Sequence, residues 1–176
     1  MTAYGPAERW TPGTRPRRPA ESWTPGTPPG EHLWQAWQVG RCATVRVTGA
    51  DVVRITASLA DAVRTLLEER KIPLGPVLDT RPRGAVEFTV PAGTSATWPP
   101  LPDTQCVSEA ELRCPAPDVT AASGRRVGGR CWILSPSHTP HAVTDANALR
   151  EAVTTALAHR RDARADTPPS RPGGRG

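Results

Sequence analysis

Acidic residues, histidines, cysteines and arginines are the side chains of this sequence that could do chemistry. Glu109 and Glu111 are the one acidic pair at alternate positions in the region predicted to be ordered, and no apolar strand surrounds them. Two-metal catalysis needs two carboxylates on the same face of a rigid strand. The pair therefore does not predict a metal-dependent active site, and no residue is assigned a catalytic role.

The cysteines and histidines also lack the spacing of a metal site. Cys42, Cys106, Cys114 and Cys131 contain no C-x-x-C pair, whereas structural zinc is held by closely spaced ligands. The two histidines of a Pro/Ser loop, at 138 and 141, are predicted to be exposed. We expect no cofactor, except a divalent metal if the protein is a polymerase, and the role of the cysteines stays open.

Arginine dominates the basic residues, and its position along the chain matters more than the net charge of +5. The excess of basic over acidic residues lies in the two ends, residues 1–30 and 159–176. In residues 31–158 the numbers of basic and acidic residues are equal. A nucleic-acid groove within a fold normally shows as clustered excess basic charge. We therefore expect any nucleic acid to contact mainly the tails, without reading sequence, through Arg15, Arg17, Arg18, Arg160, Arg161 and Arg164.

Two loops supply further candidate phosphate contacts. One is the loop between two predicted strands, with Arg81 and Arg83. The other is a glycine-rich segment in which Arg125 and Arg126 precede Gly128-Gly129-Arg130. Backbone amides and guanidinium groups in such a turn can bind phosphate, although the spacing matches no nucleotide-binding fingerprint. Solvated surface charge is the alternative for Arg81, Arg83, Arg125, Arg126 and Arg130.

A short repeat lies in the Pro/Gly-rich amino-terminal segment. Trp10-Thr11-Pro12-Gly13-Thr14 recurs as Trp23-Thr24-Pro25-Gly26-Thr27. A tryptophan presented twice in a polyproline-like context is typical of a linear motif that docks a partner protein. A chance duplication in a low-complexity tail is the alternative.

The elements that would position these residues centre on a β-hairpin at about residues 74–91. Val86, Phe88 and Val90 alternate with Glu87 and Thr89, which predicts a strand with one apolar face. Pro91 ends it because proline cannot donate to a sheet ladder. The fold class is therefore α+β, with a small mixed or antiparallel sheet, this central hairpin, and two or three flanking helices.

Helical periodicity marks two longer helices. Leu59, Val63, Leu66 and Leu67 form one apolar stripe, and Pro73 stops that helix from extending. A second stripe runs from Ala148 to Leu157. We expect residues 31–158 to form a single domain, between a disordered segment 1–30 and a disordered tail 159–176.

The order of these blocks resembles a group of short actinobacterial proteins labelled bifunctional DNA primase/polymerase-like. The resemblance covers about residues 33–158. Its blocks are Asp51-Val52-Val53-Arg54-Ile55, Gly75-Pro76-Val77-Leu78, the stretch 86–94, Trp98-Pro99, Cys106, Cys114-Pro115-Ala116-Pro117, Trp132-Ile133-Leu134-Ser135-Pro136 and the stretch 144–149.

The resemblance implies an α/β domain related to primase-polymerases of the archaeo-eukaryotic type. Such enzymes place metals and nucleotide with a strand-borne acidic pair, a further acidic residue and a histidine. This chain has no strand-borne D-x-D or D-x-E. The resemblance therefore implies a related domain without the catalytic carboxylates.

The leading expectation is a cytoplasmic, non-catalytic accessory or regulatory domain that associates with nucleic acid. A minimal DNA primase/polymerase is one alternative. An adaptor that binds a protein partner through Trp10 and Trp23 is the other. No apolar stretch approaches the ~20 residues of a membrane span, so no membrane partner is expected.

Overall fold

The computed structural model describes residues 20–165 and contains eight strands and four helices. The strands are β1 (Glu21–Trp23), β2 (Ala43–Val47), β3 (Ala50–Thr56), β4 (Val77–Thr80), β5 (Ala85–Pro91), β6 (Thr104–Val107), β7 (Glu111–Cys114) and β8 (Arg130–Leu134). The helices are α1 (Glu31–Gln38), α2 (Ala57–Glu69), α3 (Thr94–Thr97) and α4 (Ala146–Ala165). The predicted α+β class is confirmed.

The larger sheet has five antiparallel strands in the order β6-β3-β5-β4-β8. The predicted hairpin, β4 and β5, lies at its centre. A three-stranded sheet, in the order β1-β2-β7, covers one face of it. Helices α2 and α4 cover the other face, so the domain has three layers.

Two apolar clusters hold these layers together. The first joins Val53, Val86 and Phe88 of the large sheet to the apolar stripes of α2 and α4. The second joins Val52, Leu78 and Trp132, on the opposite face of the same sheet, to the small sheet and to Leu33 of α1. Because both faces are covered, the polar side of β5 is also buried: Glu87 and Thr89 are each 3% exposed.

The described elements extend beyond residues 31–158 on both sides. Residues 21–23 form strand β1, which pairs in parallel with β2, so order begins before residue 31. This strand depends on long-range pairing and on the burial of Trp23, which local composition cannot report. Helix α4 continues to Ala165, past the predicted end near His159, so Arg160, Arg161 and Arg164 belong to a helix.

Candidate nucleic-acid interface

One end of the large sheet collects basic residues from separate parts of the chain. The strand registers along this end pair Thr104 with Ile55, Ala85 with both Thr56 and Thr80, and Thr80 also with Arg130. The loops attached to these ends carry Arg81 and Arg83, and Arg125 and Arg126. An antiparallel sheet brings alternate strand ends to one edge, so segments that are far apart in sequence meet here.

The first basic loop is a 3-10 turn at Arg81–Arg83, between β4 and β5. Gly84 follows at φ 62°, a left-handed conformation that glycine adopts without steric cost. Its N–H donates to the carbonyl of Arg81 at 2.8 Å. Its own carbonyl accepts the N–H of Ala57 at 2.8 Å, which fixes the loop to the start of α2.

The second basic loop ends in a tight turn at Gly128-Gly129. Both glycines have positive φ, at 55° and 75°. Val127 and Arg130 exchange two backbone hydrogen bonds of 3.0 Å each, the geometry of a two-residue type I′ hairpin. A Cβ atom on Gly129 would lie 2.9 Å from Cγ of Pro82, so this turn packs directly against the first loop.

Asp79 joins the two loops electrostatically. Its Oδ2 forms ion pairs with Arg126 at 2.9 Å and with Arg81 at 3.4 Å, one cation from each loop. Arg125 pairs separately with Asp118 at 3.0 Å, an exposed contact. One carboxylate thus serves two guanidinium groups, which leaves a local positive excess.

Arg130 is a buried cation that forms no ion pair with any carboxylate of residues 20–165. The residue is 7% exposed, and its Nη1 donates to the carbonyl of Gly128 at 3.0 Å. Its Nε has no hydrogen-bond acceptor. A buried charge without a counterion is unfavourable, so an anion bound nearby would stabilise this guanidinium.

A groove of about 400 Å³ adjoins the first loop. It is lined by Arg54, Arg83, Asp103 and Gln105, among others. Arg54 pairs across strands with the buried Glu87 at 2.9 Å, and Asp103 pairs with Arg160 of α4. Arg83 forms no ion pair within the described part of the chain, so its charge is available to a ligand in the groove.

We use the term basic end for the surface formed by Arg54, Arg81, Arg83, Arg125, Arg126, Arg130 and Arg160. Four acidic residues face these seven: Asp79, Glu87, Asp103 and Asp118. Counting charge along the sequence concealed this cluster, because basic and acidic residues balance over the whole domain. Guanidinium groups without carboxylates of their own are suited to phosphate oxygens.

The remaining predicted contacts are distributed differently. Arg15, Arg17, Arg18 and Trp10 lie outside the described residues. Arg161 and Arg164 follow Arg160 on the last turns of α4 and are exposed. Cations at the carboxyl end of a helix interact favourably with the helix dipole.

Trp23, a candidate residue for docking a partner protein, is buried within this domain. It is 6% exposed and belongs to the second apolar cluster. Its indole N–H donates to the carbonyl of Thr27 at 3.3 Å, within the same repeat.

The four thiols are held in their protonated form by burial. Burial raises the pKa of Cys106 to about 11 and that of Cys114 to about 12, and it also raises those of Cys42 and Cys131. The thiolate is the nucleophile and metal ligand, so at neutral pH these side chains act as small apolar groups.

Among residues 20–165, no group of three His, Cys, Asp or Glu side chains could hold a metal ion. Glu111 lies on β7 and pairs with Arg46 at 3.6 Å, whereas Glu109 lies in the preceding turn at φ 46°.

Across residues 20–165, no helix combines the length and apolar character needed to cross a membrane.

Comparisons of this chain with protein-family models, with curated proteins and with solved structures each find no match.

Proposed function

We propose that this protein is a non-catalytic accessory domain that binds the phosphate backbone of single-stranded nucleic acid at its basic end. The observation that carries the proposal is the convergence of seven arginines from separate segments onto one end of the sheet. The primase-polymerase-like order of the sequence blocks is consistent with a role beside DNA synthesis.

Charge balance within the basic end supports an anionic ligand. Within the described part of the chain, Arg83 and Arg130 have no carboxylate partner, and Arg81 and Arg126 share one. Three positive charges are therefore left for a ligand. A chain of phosphates can neutralise several such groups at once, and the release of condensed counterions then favours binding.

The shape of the surface supports a strand rather than a duplex. The groove beside Arg83 has a volume of about 400 Å³, within the range of pockets that bind small organic groups. It can hold one nucleotide while the neighbouring phosphates lie on the two basic loops. Contacts to phosphate carry no sequence information, so we expect little base preference.

We place this activity in the cytoplasm, because the four cysteines form no disulfide and cytoplasmic thiols stay reduced. Arg15, Arg17 and Arg18 would extend the contact along the strand.

The test is the affinity of the full chain for a fluorescently labelled single-stranded oligonucleotide, measured by anisotropy. We expect Arg83→Ala to weaken binding about three- to tenfold, on the order of 1 kcal/mol for one exposed ion contact. Arg150→Ala is the matched control, because Arg150 is an exposed helical arginine near the Arg70–Glu151 pair at the opposite end of the helical layer. Equal affinities of the two variants, or no binding by the wild type, would refute the proposal.

A further inference from the structure

The amino-terminal repeat is longer than the five-residue motif and coincides with a structural unit. Residues 6–14 read Pro-Ala-Glu-Arg-Trp-Thr-Pro-Gly-Thr, and residues 19–27 read Pro-Ala-Glu-Ser-Trp-Thr-Pro-Gly-Thr. The second copy contains all of strand β1 and the turn that follows it. The first copy thus repeats a segment whose docking can be described residue by residue.

The second copy forms a strand and a turn with its own internal hydrogen bonds. Thr27 donates its N–H to the carbonyl of Thr24 at 3.0 Å and its hydroxyl to the same oxygen at 2.6 Å. Pro25 precedes Gly26, which has φ 86°, the pattern of a type II turn. The indole N–H of Trp23 closes the turn on the carbonyl of Thr27.

This unit docks on the edge of β2 and on the loop after it. Its strand pairs in parallel, with Trp23 opposite Val47. The backbone of Thr48 donates to the carbonyl of Trp23 at 2.9 Å, and the hydroxyls of Thr24 and Thr48 lie 3.0 Å apart. Gly26 lies close to Ala142, since a Cβ there would be 3.2 Å from the alanine Cβ.

The two copies differ within these nine positions only where the side chain faces solvent. Ser22, replaced by Arg9 in the first copy, is the exposed residue of β1. The residues that make the contacts above, Trp23, Thr24, Gly26 and Thr27, are the same in both copies. A chance duplication gives no reason for the single difference to fall at a position that makes none of these contacts.

The packing beneath the unit is incomplete. A cavity of about 270 Å³ is lined by Trp23, Gly26 and Thr27 on one side and by Leu33, Trp37 and Trp132 on the other. An unfilled cavity forfeits part of the packing energy that would hold the segment in place. Release of the second copy is therefore easier than release of a fully packed strand.

We propose that the β2 edge and this cavity form a binding site for the nine-residue motif, and that residues 6–14 of the same chain are its second ligand. The mode is addition of a strand to a sheet edge. Sixteen residues separate Thr14 from Glu31, which is ample length for the first copy to reach the site. Tethering also gives the first copy a high effective concentration relative to another molecule.

Two features favour the second copy in the resting protein. Docking of the first copy leaves a longer loop before α1, which costs entropy. It also places Arg9 opposite Arg46, where Ser22 now lies, and like charges facing each other across strands are unfavourable. The first copy is thus a reserve ligand, which occupies the site when the second copy leaves it to bind elsewhere.

The test is a double-mutant cycle on the full chain, read as the unfolding equilibrium in urea, with Trp10→Ala, Trp23→Ala and both together. We expect Trp10→Ala to be silent alone and to lower the folding equilibrium constant about tenfold or more in the Trp23→Ala background. Trp34→Ala, at a half-exposed residue whose ring packs edge-to-face on Trp37, is the control and should lower stability equally in both backgrounds. Silence of Trp10→Ala in both backgrounds, or an unfolded Trp23→Ala protein, would overturn the proposal.

A milder substitution gives a second readout that does not depend on loss of the ring. In Trp23→Phe protein labelled with 5-fluorotryptophan, we expect the solvent isotope shift of the Trp10 fluorine resonance to be smaller than in the wild type. A Trp10 resonance that stays solvent-exposed would overturn the proposal. Dimerisation of Trp23→Phe in sedimentation equilibrium would also overturn it, because the occupant would then belong to a second copy.

Discussion

At the scale of single residues, the interior of this small domain contains polar groups whose environments differ sharply. Glu87, 3% exposed, has a matched cation in Arg54 on the neighbouring strand. Arg130 donates to the backbone carbonyl of Gly128 but pairs with no carboxylate among residues 20–165. A buried ion without a counterion costs stability unless a ligand supplies one. Arg130 is thus the residue whose environment differs most from that of an ordinary structural arginine.

Cys114 allows a test of burial at this scale. Its pKa is raised to about 12 by burial, above the ordinary value of 9.0. Because the folded state holds the proton more tightly, the stabilisation is complete below pH 9 and is lost as the pH rises toward 12. We expect the stability difference between wild type and Cys114→Ala to shrink by about 1 kcal/mol between about pH 7 and about pH 10. Urea titrations at both pH values measure it, and an unchanged difference would contradict the assigned burial.

At the scale of elements, the basic end depends on how two loops are held against each other. The Gly128-Gly129 turn and the Arg81–Arg83 turn meet at Gly129 and Pro82, and Asp79 binds one arginine from each. Strand periodicity predicted the hairpin that presents the first loop. The contact between the loops joins residues far apart in sequence, so no local pattern could predict it.

Gly129→Ala should test this contact, with Gly84→Ala as its matched control. Both glycines have positive φ, at 75° and 62°, so each substitution carries about 1–2 kcal/mol of backbone strain. Only Gly129 has Pro82 within 3 Å of the added Cβ, whereas Gly84 faces open space. We expect Gly129→Ala to cost about 1–3 kcal/mol more than Gly84→Ala in urea unfolding. Equal losses would mean that the two loops do not pack together.

At the scale of the whole molecule, periodicity predicted the α+β class, the central hairpin and both long helices. It could not predict β1, because a Pro/Gly-rich segment is recognised as a strand only through its pairing with β2. The basic end was missed for a related reason. Arg54, Arg83 and Arg130 are separated along a chain whose domain charge balances, and only the sheet topology places them together.

The measurement that tests the central claim most directly is the salt dependence of single-stranded DNA binding, from about 50 to about 200 mM salt. Three full-length proteins are compared: wild type, the basic-end variant Arg81→Ala/Arg83→Ala, and the tail variant Arg15→Ala/Arg17→Ala/Arg18→Ala. Arg81 suits this test because its side chain is 69% exposed and Asp79 keeps its shorter pair with Arg126 when Arg81 is removed.

We predict that the basic-end variant loses about 0.7 from the slope of log affinity against log salt for each phosphate contact removed, or about 1.4 in all. We also predict that the tail variant keeps the greater part of the wild-type affinity. An unchanged slope in the basic-end variant, with binding abolished in the tail variant, would contradict the account and assign binding to the amino-terminal arginines.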